Sequence, residues 1–533
     1  MGDLTDSKDR LSVLEMDASA LMEKGGDGRI EIDTESGRNV YGCSASPRMV
    51  LGYSSSTASN ISRQAYAHTV RRKNRLRVLA RQLGLYEAYK DAFENARSRF
   101  RLFYALPPEL DIAFGPSGTD LELLVLALAL LAEEGRVHNI IVDSEEVGSG
   151  IKYAATGRYW DRKTALCGKA HVGDVVPGFS NSAISMANIK IRDELGLSRG
   201  SDEVNGDILD EVFRAIASGA RPIIHVVHRS KTGLLVPSLA KLKSALVEVR
   251  DKVDIVVDAC QGRICSSQLR DYLLDGSMVI WTGSKFIGGA PFSGALIVPP
   301  RIADRARGEK ILPLGLSGFF TRAELPKEWR AAELALSREE NVGLLLRLES
   351  GLFELGRLNG FSEKDIRKVI VAFQQALVSV VQHSGFLKLL APTPPSGLGD
   401  EGLGNALEED TIYTLIIDAL HPCTGEPLDF RDAQELYRAL FSDLSSGASD
   451  DAGILSSIVH VGQPVKAARM ASGQWQANVR VALGAPMINN MAMLGREAIR
   501  KRFTSDFLVL VRKMKKAISL LSDVDGKVSG AGC

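Results

Sequence analysis

A chain of 533 residues is too long for one small core, and two domains are the natural expectation. Its 65 Lys and Arg balance 65 Asp and Glu, so at whole-chain level nothing argues for nucleic acid or an acidic surface as partner. Six cysteines without CxxC spacing argue against a zinc site or a disulfide framework and fit reduced thiols. The N-terminus has no apolar signal core, and the longest apolar run, 121–132, is interrupted by Glu122 and stops at Glu133-Glu134. The expectation is a cytoplasmic protein with no membrane partner.

Residues 1–38 read as an N-terminal arm or tail with one weak amphipathic helix at 11–22. Residues 39–110 read as an N-terminal helical segment, with a helical pattern over 62–103 that breaks at Gly84. Its first half is basic (Arg71, Arg72, Lys73, Arg75, Arg77, Arg81), and Glu87, Asp91 and Glu94 follow. That alternation favours a solvated helix face near a dimer interface over a DNA-contacting helix.

Residues 111–330 carry a strand–helix alternation and form the expected large domain. A short strand, 111–114, leads through Gly115-Pro116-Ser117 into a helix from Gly118 to about Glu134. Thr119-x-x-Glu122 has the form of a capping box. A helix start reached through small residues also offers free N–H groups to a phosphate, although a plain capped turn would look the same. Strands follow at 139–142, 223–227 and 255–257, the last ending on Asp258, with a helix at 239–250 before it. A further strand, 277–281, ends at Thr282-Gly283-Ser284-Lys285, and a hairpin with Gly288, Gly289 and Gly294 returns the chain into 295–298. These strands are apolar throughout rather than alternating, which predicts a mostly parallel sheet buried on both faces.

Residues 331–533 read as a smaller C-terminal α/β domain. Helices are expected at 331–358, 363–384 and 430–444, strands at 412–417, 457–461 and 479–483, and a long terminal helix at 489–522. A Pro/Gly/acidic loop, 392–410, interrupts them, and the last residues, 524–533, read as frayed.

The strand ends thus gather a Gly/Thr helix start, an acid (Asp258), a threonine (Thr282) and a lysine (Lys285), where open α/β sheets place their ligands. Such a set serves a phosphate, a protonated ring nitrogen and an aldehyde awaiting an amine, and pyridoxal 5'-phosphate has all three. Each motif is weak alone; their order carries the weight. Ser117-Gly118-Thr119-Asp120, Asp258-Ala259-Cys260-Gln261, Thr282-Gly283-Ser284-Lys285 with Gly288-Gly289 and Gly294-Ala295-Leu296, and Asn478 to Gly484 occur in that order. The set resembles the fold-type-I pyridoxal-phosphate-dependent enzymes, in their class V aminotransferase and cysteine desulfurase branch.

The resemblance implies an α/β fold: a large domain with a mostly parallel, seven-stranded-type sheet and a smaller C-terminal domain. It implies Lys285 as Schiff-base lysine and acid/base, with Asp258 on the pyridine nitrogen and Gln261 on the ring O3'. Ser117, Gly118, Thr119 and Thr282 would hold the phosphate with Ser284 adjacent. Val147 would cover the ring where the family often has His, and Ser230 falls near the position of an asparagine beside the ring. Arg480 would clamp an α-carboxylate. It further implies an amino-acid-like substrate and a homodimer with shared active sites, Ser337 being a candidate contributor to a neighbour's phosphate site. Aminotransfer is the leading activity and a lyase reaction (β-elimination, C–S or C–C cleavage) the alternative. Persulfide-forming desulfuration is disfavoured, because 450–480 lacks a cysteine and Ser284 stands where desulfurases have His.

Overall fold

A strand that is apolar along its whole length is stable only with both faces covered, and that requirement organises the molecule. The computed structural model describes residues 11–148, 150–390, 405–408, 410–446 and 451–522. The 392–410 loop for the most part, and the 524–533 tail entirely, lie outside the described residues. In chain order the strands are β1 (Leu51–Tyr53), β2 (Asp111–Gly115), β3 (Val137–Val142), β4 (Ile184–Ile189), β5 (Arg221–His228), β6 (Leu235–Val236) and β7 (Asp254–Ala259). They continue with β8 (Met278–Thr282), β9 (Gly294–Val298), β10 (Leu387–Leu389), β11 (Ile412–Ile417), β12 (Val459–Val461) and β13 (Asn478–Ala482).

The main sheet runs β2-β9-β8-β7-β5-β3-β4, with β6 paired to β5 off this path. β4, β3, β5, β7 and β8 pair in parallel. β9 lies antiparallel to both of its neighbours, β8 and β2, as the glycine hairpin required. The mostly parallel seven-stranded sheet expected from the sequence is therefore present. Every residue of β2, β5, β8 and β9 is buried. Helix Gly118–Leu130 is buried from Thr119 to Ala129, which explains its lack of a polar face. A second, antiparallel sheet runs β10-β11-β13, and β1 pairs in parallel with β12.

Several boundaries differ from the sequence reading. The cap of helix Gly118–Leu130 is Ser117, whose Oγ accepts from Asp120 N at 3.2 Å, rather than Thr119. Gly118 and Thr119 are already helical, and Glu122 turns away from the helix start to Asn139. The helix expected at 331–358 begins only at Val342, where Asn341 Oδ1 accepts from Leu344 N at 3.0 Å. The terminal helix is split into Ala485–Met491 and Arg496–Ile518. β4 and helix Ser201–Ala217 have no counterpart in the sequence reading.

The basic helix Arg63–Leu83 meets Leu85–Tyr104 at Gly84, where φ is +86°, a left-handed value that suits glycine. Several of its cations are engaged within the chain. Arg72 and His68, with Arg99 from the next helix, converge on the buried Glu349. Lys73 Nζ donates to Met16 O at 2.6 Å, and Arg77 pairs with Glu15 at 2.9 Å. Residues Leu14, Ala18, Leu21 and Met22 are buried, so the described part of the arm packs onto the body.

Glu324 is buried beside helix Leu85–Tyr104, accepting from Tyr89 Oη at 2.9 Å and from Thr321 N at 2.9 Å. Burial pushes its carboxyl up to about 7. Between about pH 4.5 and 7 the folded protein thus keeps a proton that the unfolded chain has lost. The stabilisation is complete below that window and lost as the pH rises through it, by roughly 3 kcal/mol in all. Urea unfolding at pH 5 and pH 7.5 should show Glu324→Gln losing about 2 kcal/mol less than wild type across this interval. Equal losses would assign the pH dependence to other groups.

Candidate functional site

Parallel strands in register bring their carboxyl ends, and whatever follows them, to one edge of the sheet. Here that edge borders a cavity of about 210 Å³. It is lined by Ser117, Gly118 and Thr119 from the helix start after β2, and by Val147 from the loop after β3. Ser230 follows β5, Asp258 and Gln261 come from the end of β7, and Thr282, Ser284 and Lys285 from the end of β8. Arg480 enters from β13 of the second sheet. Every residue assigned to cofactor or carboxylate binding from the sequence therefore meets the others at one place. Ser337 is not among the residues lining this cavity within the chain.

One end of the cavity suits a phosphate. The first amides of helix Gly118–Leu130 precede any helical carbonyl that could accept from them, and the dipole adds positive character there. The hydroxyls of Ser117, Thr119 and Thr282 border the same space. A Cβ at Gly118 would lie 2.5 Å from Cys260 Sγ, so glycine is what lets the helix start sit against the end of β7. Cys260 organises this corner through its backbone: its N–H donates to Asp258 Oδ1 at 2.9 Å, and its carbonyl accepts from Thr282 Oγ1 at 2.6 Å. Burial, with the Asp258 carboxylate nearby, pushes its thiol well above the usual range, as befits an unreactive side chain.

Arg29 reaches the same corner from the arm. It forks onto Asp27, donates to Ser117 Oγ at 3.4 Å, and lies 5.3 Å from the centre of the Phe292 ring.

At the centre, Asp258 lies in β7 and Lys285 follows its parallel neighbour β8, with Asp258 opposite Ile280 in register. Among the described residues, Lys285 Nζ has no hydrogen bond or ion pair, while the Lys285 carbonyl is fixed by Ser59 Oγ at 2.7 Å. The Gln261 amide is shared between Ser56 O (3.0 Å) and Arg263 Nη1 (2.9 Å). Val147 presents an aliphatic wall. Its neighbour Glu146 accepts from Arg192 Nε at 2.5 Å, Ser230 Oγ at 2.8 Å and Thr232 Oγ1 at 2.9 Å. Burial opposes its ionisation, yet Arg192 and the two hydroxyls hold the carboxyl below its usual range.

At the far end the buried Arg480 donates to Gln463 O (2.7 Å), Lys231 O (3.0 Å) and Thr57 Oγ1 (2.8 Å). Burial lowers this guanidinium to about 10. Its partners are neutral, so its charge is available to an incoming carboxylate.

Sequence reasoning did not assign Arg29, Tyr41, Ser56, Thr57, Glu122, His225, Lys231 or Gln463, which also line the cavity. Most lie on loops or on the arm, where no periodicity marks a face. Glu122 and His225 had a signal: each is a polar residue inside an apolar element. Glu122 Oε1 accepts from Asn139 Nδ2 at 2.9 Å and lies 3.2 Å from His225 Nε2. Glu122 Oε2 and Ser56 Oγ are buried without a hydrogen-bond partner among the described residues.

The described residues contain no helix long and apolar enough to cross a membrane and no cluster suited to hold a metal ion. No family model matches the chain, and no curated protein matches it. Among solved structures, the chain is similar to "TDC" of Oryza sativa crystallised with PLP and tryptamine, at 13% identity and TM-score 0.48, over 87% of this chain and 84% of that one. It is also similar to a cysteine desulfurase from Thermococcus onnurineus NA1, at 15% identity and TM-score 0.48, over 88% and 99% of the two chains. A NifS-like protein from Rickettsia africae ESF-5 shows 10% identity and TM-score 0.49 over 89% of this chain and 100% of its own.

Proposed function

We propose that the cavity binds pyridoxal 5'-phosphate and that the protein is a pyridoxal-phosphate-dependent enzyme acting at the α-carbon of an amino-acid-like substrate, as an aminotransferase. The observation that carries this reading is an unpartnered lysine and a strand-end carboxylate sharing one cavity with a helix N-terminus. When bound, the cofactor supplies the electron sink for a bond broken at the α-carbon.

The chain's own residues divide the remaining work. The Gly118 and Thr119 amides would hold the phosphate, with Ser117 and Thr282 beside it. Asp258 keeps a proton on the ring nitrogen. Val147 covers one ring face and excludes water there. Arg480 fixes the substrate carboxylate and so decides which bond at the α-carbon stands across the ring. Lys285 Nζ would be the attachment point and the base that takes and moves the α-proton. In keeping with the resemblance, a cytoplasmic homodimer belongs to this proposal.

The test is a mass balance. With an amino donor and a 2-oxo acid, the purified enzyme should aminate the oxo acid in equal amount to the donor consumed. Release of ammonia and a 2-oxo acid from the donor alone, with no acceptor present, would replace the aminotransferase by the lyase.

A further inference from the structure

Three cations border the substrate end of the cavity: Lys285, Arg480 and Lys231. Among the described residues none of them has a carboxylate partner within 4.0 Å. The other cations that line the cavity are neutralised, Arg29 by Asp27 and Arg229 by Asp410 at 2.7 Å. Glu146, the acid nearest this end, is taken by Arg192. Arg480 is fully buried and Lys231 and Lys285 are half-buried, and a site that holds such cations without counter-ions is arranged for an anion to arrive.

In the reading above, Lys285 would be taken up by the cofactor and Arg480 by the α-carboxylate. Lys231 has no such task. Its Nζ donates only to Glu145 O, at 3.0 Å, a neutral acceptor. Its backbone carbonyl accepts from Arg480 Nη1 at 3.0 Å, so its ammonium stands within one side-chain length of the guanidinium. Two adjacent cations, one planar and forked and the other a compact point charge on a flexible stem, suit a substrate that carries two acidic groups a few bonds apart.

We infer that the substrate is an acidic amino acid, its α-carboxylate on Arg480 and a side-chain carboxylate on Lys231. Burial, together with the charges of Arg480 and Lys285, pushes the Lys231 ammonium down to about 8, as a cation awaiting its counter-ion should be. This inference rests on the cofactor reading above and specifies the substrate class within it.

Calorimetric titration of the cofactor-loaded full chain with succinate and with butyrate tests it without turnover. Succinate should bind at least about tenfold more tightly than butyrate, the lower bound for one hydrogen bond to a charged group. Lys231→Met should abolish that preference and leave butyrate binding and the visible cofactor band unchanged. Equal affinities in the wild type would overturn the inference, as would a Lys231→Met protein that loses both ligands equally or loses its cofactor. A wild-type chain in which borohydride fixes no cofactor to Lys285 would instead overturn the cofactor reading. Lys231→Gln serves as a second variant should Lys231→Met fail to fold.

Discussion

The Lys285→Ala protein, supplied with pyridoxal phosphate, is expected to show no cofactor that borohydride fixes to the chain, and its turnover is expected to fall by about a thousandfold or more. The cavity holds two amines, and Lys231 is a second candidate for the attachment. The Lys231 ammonium is pushed down to about 8, and an amine of lowered pKa is a good nucleophile near neutrality. Position decides between them. Lys285 follows β8, whose neighbour β7 carries Asp258 one residue before its end, so an amine here and an acid beside it face the same ligand. Lys231 follows β5, is tied to the Glu145 carbonyl, and stands next to Arg480. Removing Lys285 takes away both the attachment and the base at the α-carbon, and a general base alone contributes about 10²–10⁴-fold. Borohydride treatment of the wild type followed by peptide mapping should place the label on the peptide containing Lys285. A label on Lys231, or an unchanged visible band in Lys285→Ala, would reverse the two assignments.

The sheet was legible because its strands are short, continuous apolar runs bounded by glycine and polar clusters, as a doubly covered parallel sheet demands. β7, β8 and β9 were found within a residue or two for that reason. The edge strand β4 was not, since Ile184–Ile189 is buried only at its two ends. The site residues at strand ends were legible because topology alone brings them together, whatever the side chains do. The residues contributed by loops follow no such rule. Thr57 and Tyr41 enter the cavity only because the chain between the arm and helix Arg63–Leu83 folds over it, and nothing in their local pattern announces this. The arm was misleading for a related reason. It is polar and glycine-spotted, yet its few apolar residues are deeply buried and its carbonyls are held by one side chain from far along the chain.

That side chain is Arg347, and its removal is expected to have the largest effect on stability outside the core. Arg347 is fully buried in helix Val342–Leu358. Its Nε donates to Phe292 O at 2.7 Å, and its two terminal nitrogens donate to the carbonyls of Met22, Lys24 and Gly25. Beside it, Gly343 lets the arm approach so closely that a Cβ there would stand 2.3 Å from Lys24 O. In Arg347→Met the carbonyls of Phe292, Met22 and Lys24 lose this donor, at about 1–3 kcal/mol for each that stays out of water, while Gly25 O keeps Asn341 Nδ2 at 3.1 Å. The arm can avoid that cost only by lifting into water, which exposes Leu14, Ala18, Leu21 and Met22. Either route destabilises the docked state by roughly 3–5 kcal/mol, the sum over two or three carbonyls that lose their donor. Because the arm carries Arg29 to the Ser117 corner, its release also opens the phosphate end of the cavity. Limited trypsin digestion should therefore cut Arg347→Met at Lys24 or Arg29 at least about a hundredfold faster than wild type, with cofactor affinity falling in parallel. If cleavage there were no faster while the global unfolding midpoint dropped, the arm would be part of the cooperative core and not a separately docked closure of the cavity.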